Sequence, residues 1–210
     1  ELFKIFMLGS PGIALRVLHH MGVLEVCLEI LQSHRGCAGS VSEAPLSFHS
    51  IDTLAFIKSM AEDIKSVDIN ADLQSSMLAN GLKPFRESLL EYLHEEITPG
   101  RNRYGLLVFY LLLNELREII GSTREEASDS KDQVELIGRA IRLSNTEIDY
   151  LVRLQNAADM PDPGDDFLLH AVRSFRIMGD ALPAGILHNL VRVLHNESPF
   201  DQDGWLKNIQ

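Results

Sequence analysis

The sequence predicts an all-α protein, a multi-helix bundle, and three observations support this prediction. Apolar residues recur at intervals of three and four along much of the chain, and no long stretch alternates apolar and polar side chains. Ser, Pro and Gly stand where helices would begin and end. With 210 residues, 45% of them hydrophobic, the chain is large enough to bury a core and is not expected to be disordered.

The first segment predicts a tight helical hairpin. Ser10 is the expected N-cap, Pro11 the first helical residue, and Gly22 stops the helix before a second short one. The apolar positions of the first helix are Ile13, Leu15, Val17 and Leu18. The composition then turns to Gly, Ser, Ala and Pro over residues 33–47, which indicates an exposed loop.

The middle of the chain predicts three further helices. One resumes near Ile51 and places a single apolar stripe on one face; its members are Leu54, Ile57, Met60 or Ala61, and Ile64. Another begins at Pro84 and is closed by residues 98–100, which are Thr, Pro and Gly. The run from Leu106 to Leu113 predicts a buried core helix, because it is far shorter than the roughly 20 residues of a membrane span. We therefore expect no membrane partner.

The last third predicts four helices with clear start and stop signals. Ser130 with Gln133, and Ser144 with Glu147, have the spacing of capping boxes. An Asp-Pro-Gly break at residues 162–164 precedes two last helices, expected over residues 165–177 and 183–194.

Charge and cysteine content limit the partners and the location. Thirty acidic residues against nineteen Lys and Arg give a net charge of −11, which repels phosphate at long range. Any nucleic-acid contact therefore needs a local basic patch or a part of the protein outside this chain. The two cysteines, Cys27 and Cys37, form no disulfide framework, so a reducing, cytoplasmic location is predicted.

Four motifs follow one another along most of the chain. They are ELFKIFMLGSPGIALRVLHHMGVLEVCL, RNRYGLLVFYLLLNEL, IGRAIRLSNTEIDYLVRLQNAADMP and RSFRIMGDALPAGILHNLV. In this order they resemble the C-terminal neck and body of the tRNA nucleotidyltransferase and poly(A) polymerase family, of the CCA-adding type. The resemblance is closest over residues 141–148, where the family has Leu-Arg-Leu-Ser-Asn-x-Glu-Ile.

The resemblance implies a division of the chain into three segments. Residues 1–35 would be a neck-like helical hairpin, residues 36–160 a degenerate HD-like helical body, and residues 161–210 a C-terminal helix pair with a tail. The degenerate metal-site positions implied by the family are Asp52, Asn114, Glu115, Glu126 and Ala158. HD-type members carry histidines at four of these positions and, at the position of Glu115, the Asp of a His-Asp pair. None of the four, which are Asp52, Asn114, Glu126 and Ala158, is His. We therefore expect an HD-like body that binds no metal.

The resemblance also implies that nucleotide addition would need a further part of the protein. That chemistry requires paired carboxylates on a sheet and a Gly-rich turn, whereas this chain has no Gly-Gly turn followed by Asp-x-Asp. The catalytic head, with its Mg²⁺ and nucleoside triphosphate, would be an N-terminal partner of this segment. We expect this chain to need no cofactor of its own and to be inactive alone.

The implied role is RNA positioning, chiefly of the tRNA acceptor arm, with weak affinity for the isolated chain. Arginine suits phosphate recognition through its planar fork of donors. The candidate RNA-binding residues are Arg101, Arg103, Arg139, Arg142, Arg173 and Arg176. These arginines could instead stabilise helix ends or pair with local acids such as Asp180.

Two other classes of function stay open, and so does the oligomeric state. One is an α-helical protein-interaction module, which the acidic charge favours. The other is an HD-type metal phosphohydrolase, which the missing histidines disfavour.

Overall fold

A computed structural model describes residues 2–27, 46, 48–62, 81–121, 130–158 and 167–195. In these ranges the chain is almost entirely helical, which confirms the predicted all-α, multi-helix fold. Every helix there is too short or too polar to cross a membrane. The elements are α1 (Leu2–Phe6), α2 (Pro11–His20), α3 (Val23–Cys27), α4 (His49–Glu62), α5 (Arg86–His94), β1 (Glu96–Thr98), β2 (Arg101–Asn102), α6 (Arg103–Gly121), α7 (Ser130–Ala140), α8 (Asn145–Ala158), α9 (Phe167–Met178) and α10 (Leu182–His195).

Helix α6 lies at the centre of the fold. It contacts α1, α4, α5, α8 and α10, and the side chains of residues 106–113 are at most 2% exposed. Because this part of α6 is surrounded, it has no polar face, as the uninterrupted apolar run predicts. The helix does not end at Asn114 but continues to Gly121.

One hydrophobic core runs from Phe6 in α1 to Val191 in α10 and includes side chains from all three predicted segments. Replacing a core leucine such as Leu107 with Ala should cost about 2–5 kcal/mol of folding free energy. Both predicted segment boundaries, after residue 35 and after residue 160, lie outside the described residues.

The predicted helical hairpin at the start of the chain is present as α2 and α3. Helix α2 starts at Pro11, and Gly22 follows it with φ 72°, a left-handed conformation that glycine adopts without strain. Ser10 makes no side-chain capping hydrogen bond, contrary to the prediction. The fixed φ of Pro11 thus favours the start without help from a serine cap.

The apolar face of α2 differs from the predicted one. Leu15 is fully buried and Leu18 is partly buried against the core, but Ile13 and Val17 are 59% and 53% exposed. Helix α2 packs on α3 and α4, and these neighbours cover only part of its surface. The apolar pattern of the sequence therefore includes residues of α2 that the fold leaves exposed.

Helix α4 buries the predicted stripe. Leu54, Ile57 and Ala61 lie in the core, whereas Met60 is only partly buried, so Ala61 takes the alternative position. Ile64 lies outside the described residues.

A short β-hairpin was not predicted. The sequence suggested a helix running up to Thr98, but α5 ends at His94 because Glu95 adopts an extended conformation. Strands β1 and β2 then pair antiparallel across Pro99 and Gly100, and Gly100 has φ 75°. Proline followed by a left-handed glycine is typical of a type II turn. Strands of three and two residues are too short to show an alternating pattern in sequence.

The C-terminal helices lie within a few residues of their predicted positions, as α7 to α10 show. The capping box at the start of α8 is confirmed: Ser144 Oγ accepts from Glu147 N at 3.2 Å, and Ser144 N donates to Glu147 Oε2 at 2.6 Å. The side chains of the other predicted box, at residues 130 and 133, lie outside the described part of the chain.

Candidate RNA-contact site

Asp52, a predicted degenerate metal position, joins α2 to α4. Its carboxylate forms an ion pair with Arg16 of α2. The two helices approach closely here: a Cβ added at Gly12 would overlap the Asp52 carboxylate, so only glycine leaves room for it. Asp52 therefore acts as a tether between the first hairpin and the rest of the fold.

Glu115, the second such position, caps α4 from a distance. Its Oε2 accepts a hydrogen bond of 2.9 Å from the backbone N–H of Phe48, the residue just before α4. Phe48 has φ 52°, and its carbonyl accepts the first helical hydrogen bond from Asp52 N. A carboxylate at this N–H does what the acidic residue of a capping box does, and it favours the positive end of the helix dipole.

Asn114, the third position, contacts a histidine that sequence reasoning missed. Its Nδ2 lies 3.3 Å from Nε2 of His188 in α10. An amide nitrogen donates, so Nε2 accepts and the proton of the neutral imidazole lies on Nδ1, which has no hydrogen-bond partner among the described residues. The Tyr110 ring meets the imidazole edge-on, with 5.1 Å between ring centroids.

Burial explains the state of His188. Its side chain is 3% exposed, and burial, with a smaller contribution from the charge of Arg192, lowers its pKa to about 4. A sequence signal for this position exists: His188 lies four residues after Ala184 and three before Val191, within the apolar stripe of α10.

Among the described residues, no group of three or more His, Cys, Asp or Glu side chains is arranged to hold a metal ion. Of the other predicted metal positions, Glu126 lies outside the described residues, and Ala158 ends α8. The three that are fully described, Asp52, Asn114 and Glu115, each contact another part of the protein.

Three of the candidate RNA-binding arginines lie at or beside the turn between α7 and α8. Arg101 Nη1 lies 3.4 Å from the carbonyl oxygen of Arg142, and Arg139 is three residues before Arg142 at the end of α7. Arg101 also pairs with Glu147 at 3.1 Å and stacks on the Phe3 ring at 5.0 Å from its centroid. We call Arg101, Arg139 and Arg142 the arginine turn.

Arg142 adopts a backbone conformation that favours glycine. Its φ is 60°, and it occupies the left-handed position of a Schellman motif at the end of α7. The two hydrogen bonds of that motif are present, from Leu143 N to Gly138 O at 2.8 Å and from Arg142 N to Arg139 O at 3.1 Å. Arginine here costs about 1–2 kcal/mol relative to an unstrained conformation.

The arginine turn is anchored by a buried carboxylate. Glu147 is 1% exposed; burial acts to raise its pKa, but hydrogen bonds from Thr98 and Ser144 and the charge of Arg101 lower it on balance. The Thr98 hydroxyl donates to Glu147 Oε1 at 2.7 Å. The hairpin, α7 and α8 are thereby held in one arrangement that fixes Arg101.

Arg103 lies in an internal network instead. Its side chain is 10% exposed; it pairs with Glu95 at 3.0 Å and Asp180 at 3.4 Å, and it stacks on Tyr92 at 4.4 Å. Asp180 also pairs with Arg153 at 2.7 Å. Asp180 thus joins the end of α9 to α6 and α8, and these contacts leave Arg103 little surface for a phosphate.

Arg173 and Arg176 lie on α9, about thirty residues after Arg142 in the sequence, and both are exposed. The suggested pairing with Asp180 is not what the structure shows, because Asp180 pairs with Arg103 and Arg153. The structure therefore separates the six candidates into a clustered group, an internal residue and an exposed pair on α9.

No family model, curated protein or solved structure matches this chain. The likeness to tRNA nucleotidyltransferases and poly(A) polymerases rests on the four sequence motifs alone.

Proposed function

We propose that this chain is a non-catalytic helical body that positions RNA, as the resemblance to tRNA nucleotidyltransferases and poly(A) polymerases implies. The observation that carries the proposal is the arginine turn, in which Arg142 keeps a left-handed conformation beside Arg101 and Arg139. A strained residue is a pointer to function, because a glycine would satisfy the same backbone at lower cost.

The chemistry of the turn suits a phosphate backbone. Arg142 is exposed, and Arg139 pairs only loosely with Glu135, at 3.6 Å with both side chains largely exposed. An exposed pair of this kind contributes little, so Arg139 can exchange the carboxylate for a phosphate at small cost. Arginine can bind phosphate through two parallel hydrogen bonds.

Net charge sets the expected affinity. At −11 the chain repels a polyanion at long range, so binding depends on the local patch and should be weak and salt-sensitive. Three phosphate contacts correspond to a slope of about −2 to −3 in log K against log salt.

A binding assay with a tRNA transcript tests this proposal. Fluorescence anisotropy across a salt series should give the slope above, and Arg142→Gly should weaken binding at least fivefold while keeping the fold intact. Lys83→Ala, which removes an exposed cation before α5, is the matched control and should leave affinity unchanged. Equal affinities for the wild type, Arg142→Gly and Lys83→Ala would refute the role of the turn.

Chemistry is proposed to reside in a separate catalytic head that supplies the carboxylates, Mg²⁺ and nucleoside triphosphate. The isolated chain should therefore add no CMP or AMP to tRNA. Robust incorporation by the purified chain would contradict the proposal.

A further inference from the structure

Helix α9 presents large apolar side chains to solvent. Among its residues 172–178, only Ser174 and Met178 are buried. Val172, Phe175 and Ile177 are 55%, 64% and 52% exposed. A surface helix normally turns its apolar residues inward, so this distribution needs a different explanation.

The exposed residues form one continuous face. Because successive helical residues are about 100° apart, the order around α9 is Phe175, Val172, Arg176, Arg173 and Ile177, opposite Ser174 and Met178. The two arginines lie at the centre, with apolar side chains on both sides. We call these five residues the α9 face.

The arginines of this face are not neutralised within the described part of the chain. No described carboxylate lies within ion-pair distance of Arg173 or Arg176. Both side chains are exposed on a protein whose net charge is −11, so the face is locally positive within the ranges that the structure describes. A complementary partner must carry carboxylates or phosphates opposite the centre of the face.

We infer that the α9 face docks an acidic amphipathic helix of a partner protein. Carboxylates of that helix would pair with Arg173 and Arg176, and its apolar residues, three and four apart, would cover Val172, Phe175 and Ile177. Two of the three exposed apolar side chains are aliphatic, which RNA has little apolar surface to bury, and only Phe175 could stack on a base. The acidic chain also repels a long polyanion more than a short acidic helix.

The contact is small, because it involves one face of a single twelve-residue helix. Interfaces below about 1,200 Å² are typical of transient complexes. The α9 face shares no residue with the arginine turn, and the inference does not depend on the RNA-positioning proposal.

Peptide binding tests the inference. The probe is a labelled synthetic helix with Leu at positions one, four and five of each seven-residue repeat and Glu elsewhere. It is compared with a scrambled peptide of the same composition. We expect the amphipathic peptide to bind at least tenfold more tightly than the scrambled one. Phe175→Ser, and separately Arg173→Glu with Arg176→Glu, should each weaken it at least tenfold. Leu136→Ser removes a 67% exposed side chain from α7 and is the control that should change nothing.

The variants change only exposed residues, so circular dichroism and the thermal midpoint should match the wild type. Absence of peptide binding, or equal binding of both peptides, overturns the inference. Single-stranded RNA that binds with dependence on Arg173 and Arg176, while the peptide does not, would assign the face to nucleic acid instead. A dimer lost on Phe175→Ser, seen by analytical ultracentrifugation, would assign it to a second copy of the chain.

Discussion

Replacing Arg142 with glycine should stabilise the protein while weakening its contact with RNA. The left-handed φ of 60° costs about 1–2 kcal/mol for a residue with a Cβ, and glycine avoids this cost. Glycine loses more backbone entropy on folding, which offsets about 0.5–1 kcal/mol. The net expectation is a gain of about 0.5–1 kcal/mol in unfolding free energy, or a rise of about 1–4 °C in Tm for a chain of this length.

Urea denaturation followed by far-UV circular dichroism measures this gain. Arg142→Ala removes the same guanidinium but keeps the Cβ, so its stability should stay within about 0.5 kcal/mol of the wild type. Arg139→Gly is the matched control three residues earlier, inside α7, where glycine should destabilise by about 1 kcal/mol.

The reasoning fails if Arg142→Gly unfolds at a lower urea concentration than Arg142→Ala. That result would mean that the left-handed conformation is not the source of strain at this turn, and it would remove the main support for a functional role of Arg142. A stabilised variant with unchanged tRNA affinity would keep the structural argument and refute only the functional one.

Three further predictions concern the contacts between helices. Asp180→Asn should cost about 0.5–1 kcal/mol, because it removes the charge that faces Arg103 and Arg153 from a carboxylate that is half exposed. A double-mutant cycle with Arg103→Met should show coupling, and additive effects would contradict the network. The free energy of unfolding should fall as pH drops from 6.5 towards 4, because the unfolded state protonates His188 while the folded state keeps it neutral. The total loss is about 3 kcal/mol. A His188→Asn variant measured across the same pH range should lack this contribution. Gly12→Ala should lower Tm by several degrees, because the added Cβ overlaps the Asp52 carboxylate. Adding Asp52→Ala should recover part of the loss. If Tm does not recover, the clash lies elsewhere.

The sequence predicted much of the fold because the relevant signals are local. The unbroken apolar run of α6 indicates a helix surrounded by others, and Ser144 with Glu147 predicts the start of α8 through bonds made within one turn. The hairpin before α6 escaped prediction because β1 and β2 have three and two residues, too few for a periodic pattern.

The candidate site was less predictable. Six arginines were candidates on residue type alone, and only the fold distinguishes the buried Arg103 from the exposed Arg142. The pairing of Asn114 with His188 joins residues 74 positions apart, which no local pattern can indicate.

By itself the sequence determined the helical class, the central core helix and the acidic charge, because periodicity, capping and composition act within a few residues or over the whole chain. The tertiary structure decided which charged residues face one another. In the folded chain, Asp52 pairs with Arg16 and Glu115 caps α4. Arg103 lies inside a network around Asp180, and Arg142 is exposed in a strained turn. The physical reason is that ion pairs and hydrogen bonds act over a few ångströms, and only the folded chain brings residues distant in sequence within that range.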